Sequence, residues 1–302
     1  SNLSWLQVTW FKCGGISVGL SWAHILGDVL SASDFMNMWS QYMQGNHKDP
    51  KTLSLQYPQK SKHLPSSPAQ EPISVKRVSP MGNNWVLPTS SKIHTHTFHL
   101  TPKQLDELHS KIHGSNNDIN DNSTSQSFEV ITAILWKSIA KVRNDLETKS
   151  VTICRPKTIN RQQRIPYNGQ VLGTIEANFL VSGANPLTLV NMIVGELVDE
   201  NDMIEELVNK EIGKFDFIFY GTNITFVDMT EADVYDFKLK GNSPTFASYT
   251  VGGIQDKGAI FVFPGPNKGT DEDNRGKVIM LNLPKNEIHS VKTELKEGWC
   301  IA

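Results

Sequence analysis

Apolar and polar residues alternate along residues 6–11 and again along residues 16–21, the period of two that gives a strand one inward face. Cys13-Gly14-Gly15 separates the two runs. Paired glycines supply the positive φ that a tight connection demands, so the spacing predicts a β-hairpin. From Ser31 the period lengthens: Ala32, Phe35, Met36, Trp39, Tyr42 and Met43 recur at three and four, which predicts a helix with one apolar stripe that stops near Gly45. Between residues 46 and 87 the pattern dissolves. Pro50, Pro58, Pro65, Pro68, Pro72 and Pro80 block regular structure, and the stretch reads as a crossover between domains.

Periodicity returns as a strand over residues 95–100, followed by Thr101-Pro102-Lys103-Gln104, a capping box with proline at the first helical position and a helix to about His113. Residues 114–125 are polar enough for a surface loop. Ile131, Ile134, Leu135, Ile139 and Val142 then mark a second, half-buried helix. Further strands are expected at 151–154, 172–180, 223–227, 246–251, 260–264 and 277–283, a helical region over 187–214, and a last helix over 284–296. Strands separated by helices without strict βαβ alternation predict an α/β fold in which mixed sheets carry helices on their faces. The expected organisation is a first-domain segment over 1–45, the crossover over 46–92 and a second domain over 93–302.

Composition narrows the function classes. With 302 residues, 38% hydrophobic and 20% charged, the chain has the profile of an ordinary globular protein large enough for two domains. A net charge of −2 leaves no positive surplus for gripping phosphate backbones, so no nucleic-acid partner is expected. Cys13, Cys154 and Cys300 are odd in number and widely spaced, which fits reduced thiols in the cytosol or at a cytosolic membrane face. No apolar run reaches the roughly 18 residues that a membrane-spanning helix needs. The sequon Asn122-Ser123-Thr124 requires a secretory route that nothing else in the chain supports. A chain opening directly on an alternating strand would leave an exposed edge, so a preceding segment is expected.

Candidate chemistry gathers at His24 and Asp28, four residues apart just after the second strand. Histidine is the side chain most easily poised near neutral pH as a general base, able to take the proton of a hydroxyl or amine as it attacks a thioester. Such a spacing arises often by chance, and the surrounding residues give it weight. His94, His96 and His99 invite a metal reading, yet the first two share one strand face with no acid nearby, and solvated histidines are the simpler account. Lys76-Arg77 and the charges over 268–277 are short or mixed runs that read as solvated faces.

The run Gln7-Val8-Thr9-Trp10-Phe11-Lys12-Cys13-Gly14-Gly15, then Gly19, then His24-Ile25-Leu26-Gly27-Asp28, resembles the first signature of the plant BAHD acyltransferases. Their second signature, DFGWG, corresponds to Asp236-Phe237-Lys238-Leu239-Lys240, where only the first two residues persist. Tyr167-Asn168-Gly169-Gln170 and Thr222-Asn223-Ile224-Thr225-Phe226 extend the match. The wording of residues 19–29, with Val29 after the aspartate, looks most like the eceriferum branch. The resemblance implies a two-domain, chloramphenicol-acetyltransferase-like fold and a coenzyme A thioester as co-substrate, with no resident cofactor. It implies His24 as base, Asp28 as structural support, Asp236 paired with Arg155 to brace a channel, and Thr225 as a channel or oxyanion contact. It further implies a monomer that acts on acyl-CoA and promotes very-long-chain acyl elongation for cuticular wax beside an elongase condensing enzyme at the cytosolic face of the endoplasmic reticulum. The alternative is a conventional O- or N-acyltransferase.

Overall fold

The computed structural model describes residues 3–45, 71–80, 92–114, 126–146, 148–156, 166–266 and 275–301. Most of the proline-rich crossover, the polar loop over 115–125 with its sequon, and the charges over 267–274 lie outside them. The chain divides into two units. The first comprises residues 1–62, 156–170 and 231–247, and the second comprises 63–155, 171–230 and 248–302. This differs from the expected partition, because two stretches assigned from sequence to the second domain group with the N-terminal segment.

In the first unit, β1 (Ser4–Trp10) and β2 (Ile16–Trp22) form the expected antiparallel hairpin, with Ser4 opposite Trp22 and Trp10 opposite Ile16. Gly14 takes φ +87° in the turn, which the Phe11 N–H closes by donating to the Gly15 carbonyl at 2.9 Å. One turn of 3-10 helix at His24–Leu26 leads into α1 (Val29–Met43).

The second unit is built on a seven-stranded mixed sheet. Its strands are β4 (Ile93–Leu100), β5 (Ser150–Pro156), β6 (Gln170–Glu176), β7 (Val198–Asp199), β9 (Ile224–Asp228), β10 (Ala259–Pro264) and β11 (Lys277–Pro284), in spatial order β4-β11-β10-β9-β5-β6-β7. β9 runs parallel to β5 and β10, whereas β11 is antiparallel to β10 and β4, and β7 to β6. β10 is buried along its whole length, as an unbroken apolar strand inside a covered sheet should be. A separate antiparallel ribbon joins β3 (Lys76–Val78) to β8 (Asp216–Ile218). Both strands are too short for a periodicity to announce them.

Four helices clothe this unit beside α5 (Asn201–Glu211): α2 (Pro102–His113), α3 (Ser127–Val142), α4 (Pro186–Gly195) and α6 (Lys285–Trp299). The Thr101–Gln104 capping box forms in both directions at the start of α2. α3 is not half-buried as its stripe suggested. Phe128 and every residue from Val130 to Trp136 are buried, because α2, α4 and α6 pack around it. A helix apolar nearly all round is a core helix, and Glu129, Lys137 and Lys141 are the only charged residues in this one. The helical region over 187–214 is two helices, α4 behind the Asn185 cap and Pro186 and α5 behind Glu200, with β7 between them at the sheet edge. The strand expected over 246–251 does not form. Both edges of β10 are already taken by β9 and β11, and Tyr249 instead lays its ring edge-on against Phe261 and Phe263 at 5.9 and 6.1 Å.

Candidate functional site

The loop from Trp22 to Asp28 is held by the side chains at its two ends and by backbone groups between them. Trp22 packs at a tilt on Phe35 of α1, with ring centroids 5.6 Å apart, and its indole N–H donates to the Gly27 carbonyl at 2.9 Å. Gly27 has φ +152° and ψ 170°, a region open essentially to glycine. A Cβ there would stand 2.8 Å from Ser31 Cβ and 3.0 Å from the Tyr167 nitrogen. Asp28, only 3% exposed, caps α1. Its Oδ1 accepts from the Ser31 N–H at 3.0 Å and its Oδ2 from the Gly169 N–H at 3.0 Å. The Asp28 N–H donates to the Tyr167 carbonyl at 3.1 Å, while the Ser31 hydroxyl donates to that carbonyl at 3.0 Å and accepts from the Tyr167 N–H at 3.1 Å.

Asn168 Nδ2 completes the seam by donating to the His24 carbonyl at 2.9 Å. The His24 side chain is exposed, and among the described residues no hydrogen bond reaches its ring. A fixed backbone beneath a free imidazole leaves both ring nitrogens open to an incoming acceptor. Asp28 directs both carboxylate oxygens to backbone donors, which is the geometry of a loop brace and helix cap.

The second signature packs along the same helix. Phe237 stacks on Trp39 at 5.8 Å with 17° between the ring planes. The Ser40 hydroxyl donates to the Lys238 carbonyl at 2.6 Å and accepts from the Lys238 N–H at 2.8 Å, and Asn37 Nδ2 donates to the Asp233 carbonyl at 2.8 Å. Leu239 and Asn242 exchange N–H to carbonyl bonds at 3.0 Å around Lys240 and Gly241, both in left-handed conformation at φ +51° and +79°. Lys240 therefore sits where DFGWG places its last glycine and adopts a φ that suits glycine better. Asp236 is exposed on the same segment.

Arg155 and Thr225 both make contacts within the second unit. Arg155 of β5 makes an ion pair with Glu129 in the first turn of α3, at 2.9 Å and with the guanidinium over the Phe128 ring. Burial pushes the Glu129 carboxyl above its ordinary range, with the Arg155 charge opposing that shift. Thr225 is fully buried in β9, where its hydroxyl donates to the Asn223 carbonyl at 3.1 Å and accepts from the Gly221 N–H at 3.1 Å. It ties a turn, and its proton is already committed. On β4, His96 stacks beside Phe98 at 6.2 Å. Among the described residues no group of three or more His, Cys, Asp or Glu side chains is arranged to hold a metal ion.

Sequence reasoning passed over Ser31, Asn37 and Ser40, the α1 residues that carry this scaffold. The available signal was three short polar residues in or beside the apolar stripe of one helix.

A model of the Transferase family matches residues 2–217. Protein ECERIFERUM 26-like of Arabidopsis thaliana is 38% identical across 98% of this chain and 65% of its own length. Protein ECERIFERUM 2 of the same plant is 32% identical across the same shares. The chain belongs to the BAHD transferase family, in its eceriferum branch. It spans about 65% of the length of these two relatives. Hydroxycinnamoyltransferase 1 of Oryza sativa subsp. japonica is a more distant BAHD relative, 24% identical over 87% of this chain and 63% of its own. Among solved structures, F. sporotrichioides TRI101 complexed with coenzyme A and T-2 superposes with a TM-score of 0.68 at 14% identity, covering 99% of this chain and 69% of that one. Vinorine synthase gives 0.62 at 14% identity over 98% and 65%. These likenesses show the chloramphenicol-acetyltransferase-like BAHD fold.

Proposed function

We propose that this BAHD protein acts on acyl-CoA and promotes very-long-chain fatty acid elongation for cuticular wax, together with an elongase condensing enzyme at the cytosolic face of the endoplasmic reticulum. The observation that carries this reading is the rebuilt second signature. Its phenylalanine still packs on Trp39, but Lys238, Leu239 and Lys240 replace the Gly-Trp-Gly core and place two lysines on an exposed hairpin. The identity to the eceriferum relatives over nearly the whole chain accords with a role shared with that branch rather than with the hydroxycinnamoyltransferases.

A second reading is conventional acyl transfer, and the free ring of His24 on its pinned loop favours it. In that reaction His24 takes the proton of an acceptor hydroxyl or amine as its oxygen or nitrogen bonds to the thioester carbonyl carbon. The tetrahedral intermediate then collapses, the carbon–sulfur bond breaks, and the coenzyme A thiolate leaves with the proton that His24 returns.

One experiment separates the two. The full-length protein, wild type and His24→Ala, is expressed in yeast with a condensing enzyme, and acyl chain lengths and acyl products are profiled. Longer acyl chains that persist in His24→Ala support the elongation role. A new ester or amide product that vanishes in His24→Ala supports transfer, and unchanged profiles with the wild-type protein reject both.

A further inference from the structure

α2 carries two histidines one turn apart, His109 and His113, whose rings stack with centroids 6.0 Å apart and 12° between their planes. His113 is exposed, whereas His109 is buried with Leu105, Leu108 and Ile112 and keeps only 9% of its surface in solvent. Its Nε2 is buried, and among the described residues it has no hydrogen-bond partner. A neutral imidazole tolerates this position, because one of its nitrogens carries no proton and an unpaired polar atom costs far less to bury than an unpaired charge. An imidazolium carries an N–H at both nitrogens, so on protonation the ring would hold a charge and a buried donor that nothing accepts.

The elements packed against α2 do not compensate that charge. α4 has no ionisable side chain. The three charged residues of α3 are engaged elsewhere, Glu129 with Arg155, Lys137 with the Ala184 carbonyl and Lys141 with Glu294 of α6. The end of α6 meets α2 at Lys111, which donates to the Gly298 carbonyl at 2.7 Å and lies over the Trp299 ring. The charged groups that act on His109 are both on its own helix: His113, a second cation whenever it is protonated, and Asp106, an exposed carboxylate one turn earlier. Burial first, and then His113, hold the His109 pKa below the ordinary histidine value, with Asp106 opposing them. The open helix therefore binds the proton more tightly than the packed one. Packing is at full strength above about pH 6.5 and weakens as pH falls through that value toward the lowered one.

We propose that α2 is a proton-released cover on the helix layer, packed on α3 and α4 while His109 is neutral and loosened when His109 takes up a proton, with His113 supplying a second charge that drives the helix outward. The device lies within the second unit, uses none of the residues discussed for acyl chemistry, and is independent of the function proposed above.

Deuterium exchange of the full chain at pH 7.5 and pH 5.5, corrected for the intrinsic pH dependence of amide exchange and followed on peptides from α2 and from the buried strand β10, tests it. Protection in α2 is expected to fall about tenfold or more at the lower pH while that in β10 holds. His109→Leu, which fills the same buried position with a side chain that cannot ionise, should abolish the fall, and His113→Gln, which removes only the exposed cation, should reduce it. In the wild-type protein the His109 ring, followed by NMR through its Cε1 proton, should titrate below the ordinary histidine value. Equal α2 protection at the two pH values, a loss shared equally by β10, a response that persists in His109→Leu or is undiminished in His113→Gln, or a His109 ring that titrates at the ordinary value would overturn the proposal.

Discussion

The two signature segments of the first unit are held differently. In the His24–Asp28 loop each residue that sets the shape is engaged: Gly27 at a φ that side chains avoid, Asp28 divided between the helix cap and the Gly169 amide, and Ser31 clasping Tyr167. The Asp236–Gly241 segment keeps only its docking contacts, Phe237 on Trp39 and Lys238 on Ser40, while its tip carries a lysine in a left-handed conformation. In the second segment the contacts that fix it to the scaffold are made, while its exposed end departs from the DFGWG pattern. Burial accounts for the difference, since the first segment cannot change without stranding buried polar groups and the second can change at its solvated tip.

This contrast can be broken, most forcefully at Asp28. Asp28→Ala removes a helix cap and leaves the Gly169 amide without its acceptor, and should cost about 2–4 kcal/mol, read as a fall in the urea midpoint of the first unit. Ser40→Ala should cost about 1–2 kcal/mol by the same measurement, because one hydroxyl serves both the N–H and the carbonyl of Lys238. Lys240→Gly should raise stability by about 0.5–1 kcal/mol, relieving the left-handed strain at φ +51° net of glycine's greater unfolded freedom. His24→Ala should change stability by less than about 0.5 kcal/mol, since the exposed ring makes no hydrogen bond among the described residues and the histidine contributes only its carbonyl. A large loss at His24, or none at Asp28, would mean that the loop is held differently from the way its hydrogen bonds indicate.

The hairpin, α1 and the start of α2 were legible because each carries a local signal: paired glycines, a 3.6 period and a reciprocal cap. What escaped depends on neighbours distant in sequence. Residues 246–251 have strand-like spacing, but a strand needs a free edge, and β9 and β11 occupy both edges of β10. The stripe of α3 understated its burial because helices on several sides were not visible from its own residues. At the site, His24 and Asp28 stood out through their motif. The partners of Asp28, at Tyr167 and Gly169, lie about 140 positions away, and nothing in a single sequence pairs them. The partner of Arg155, Glu129, is the third residue of a mostly buried helix, and its own sequence position gave no sign of the pair.

One helix serves both segments: α1 grips the first at Asp28 and Ser31 and the second at Asn37, Trp39 and Ser40. Amide protons in the two stretches should therefore exchange with deuterium as a single cooperative block, because neither stretch can open fully while the rod between them stays wound.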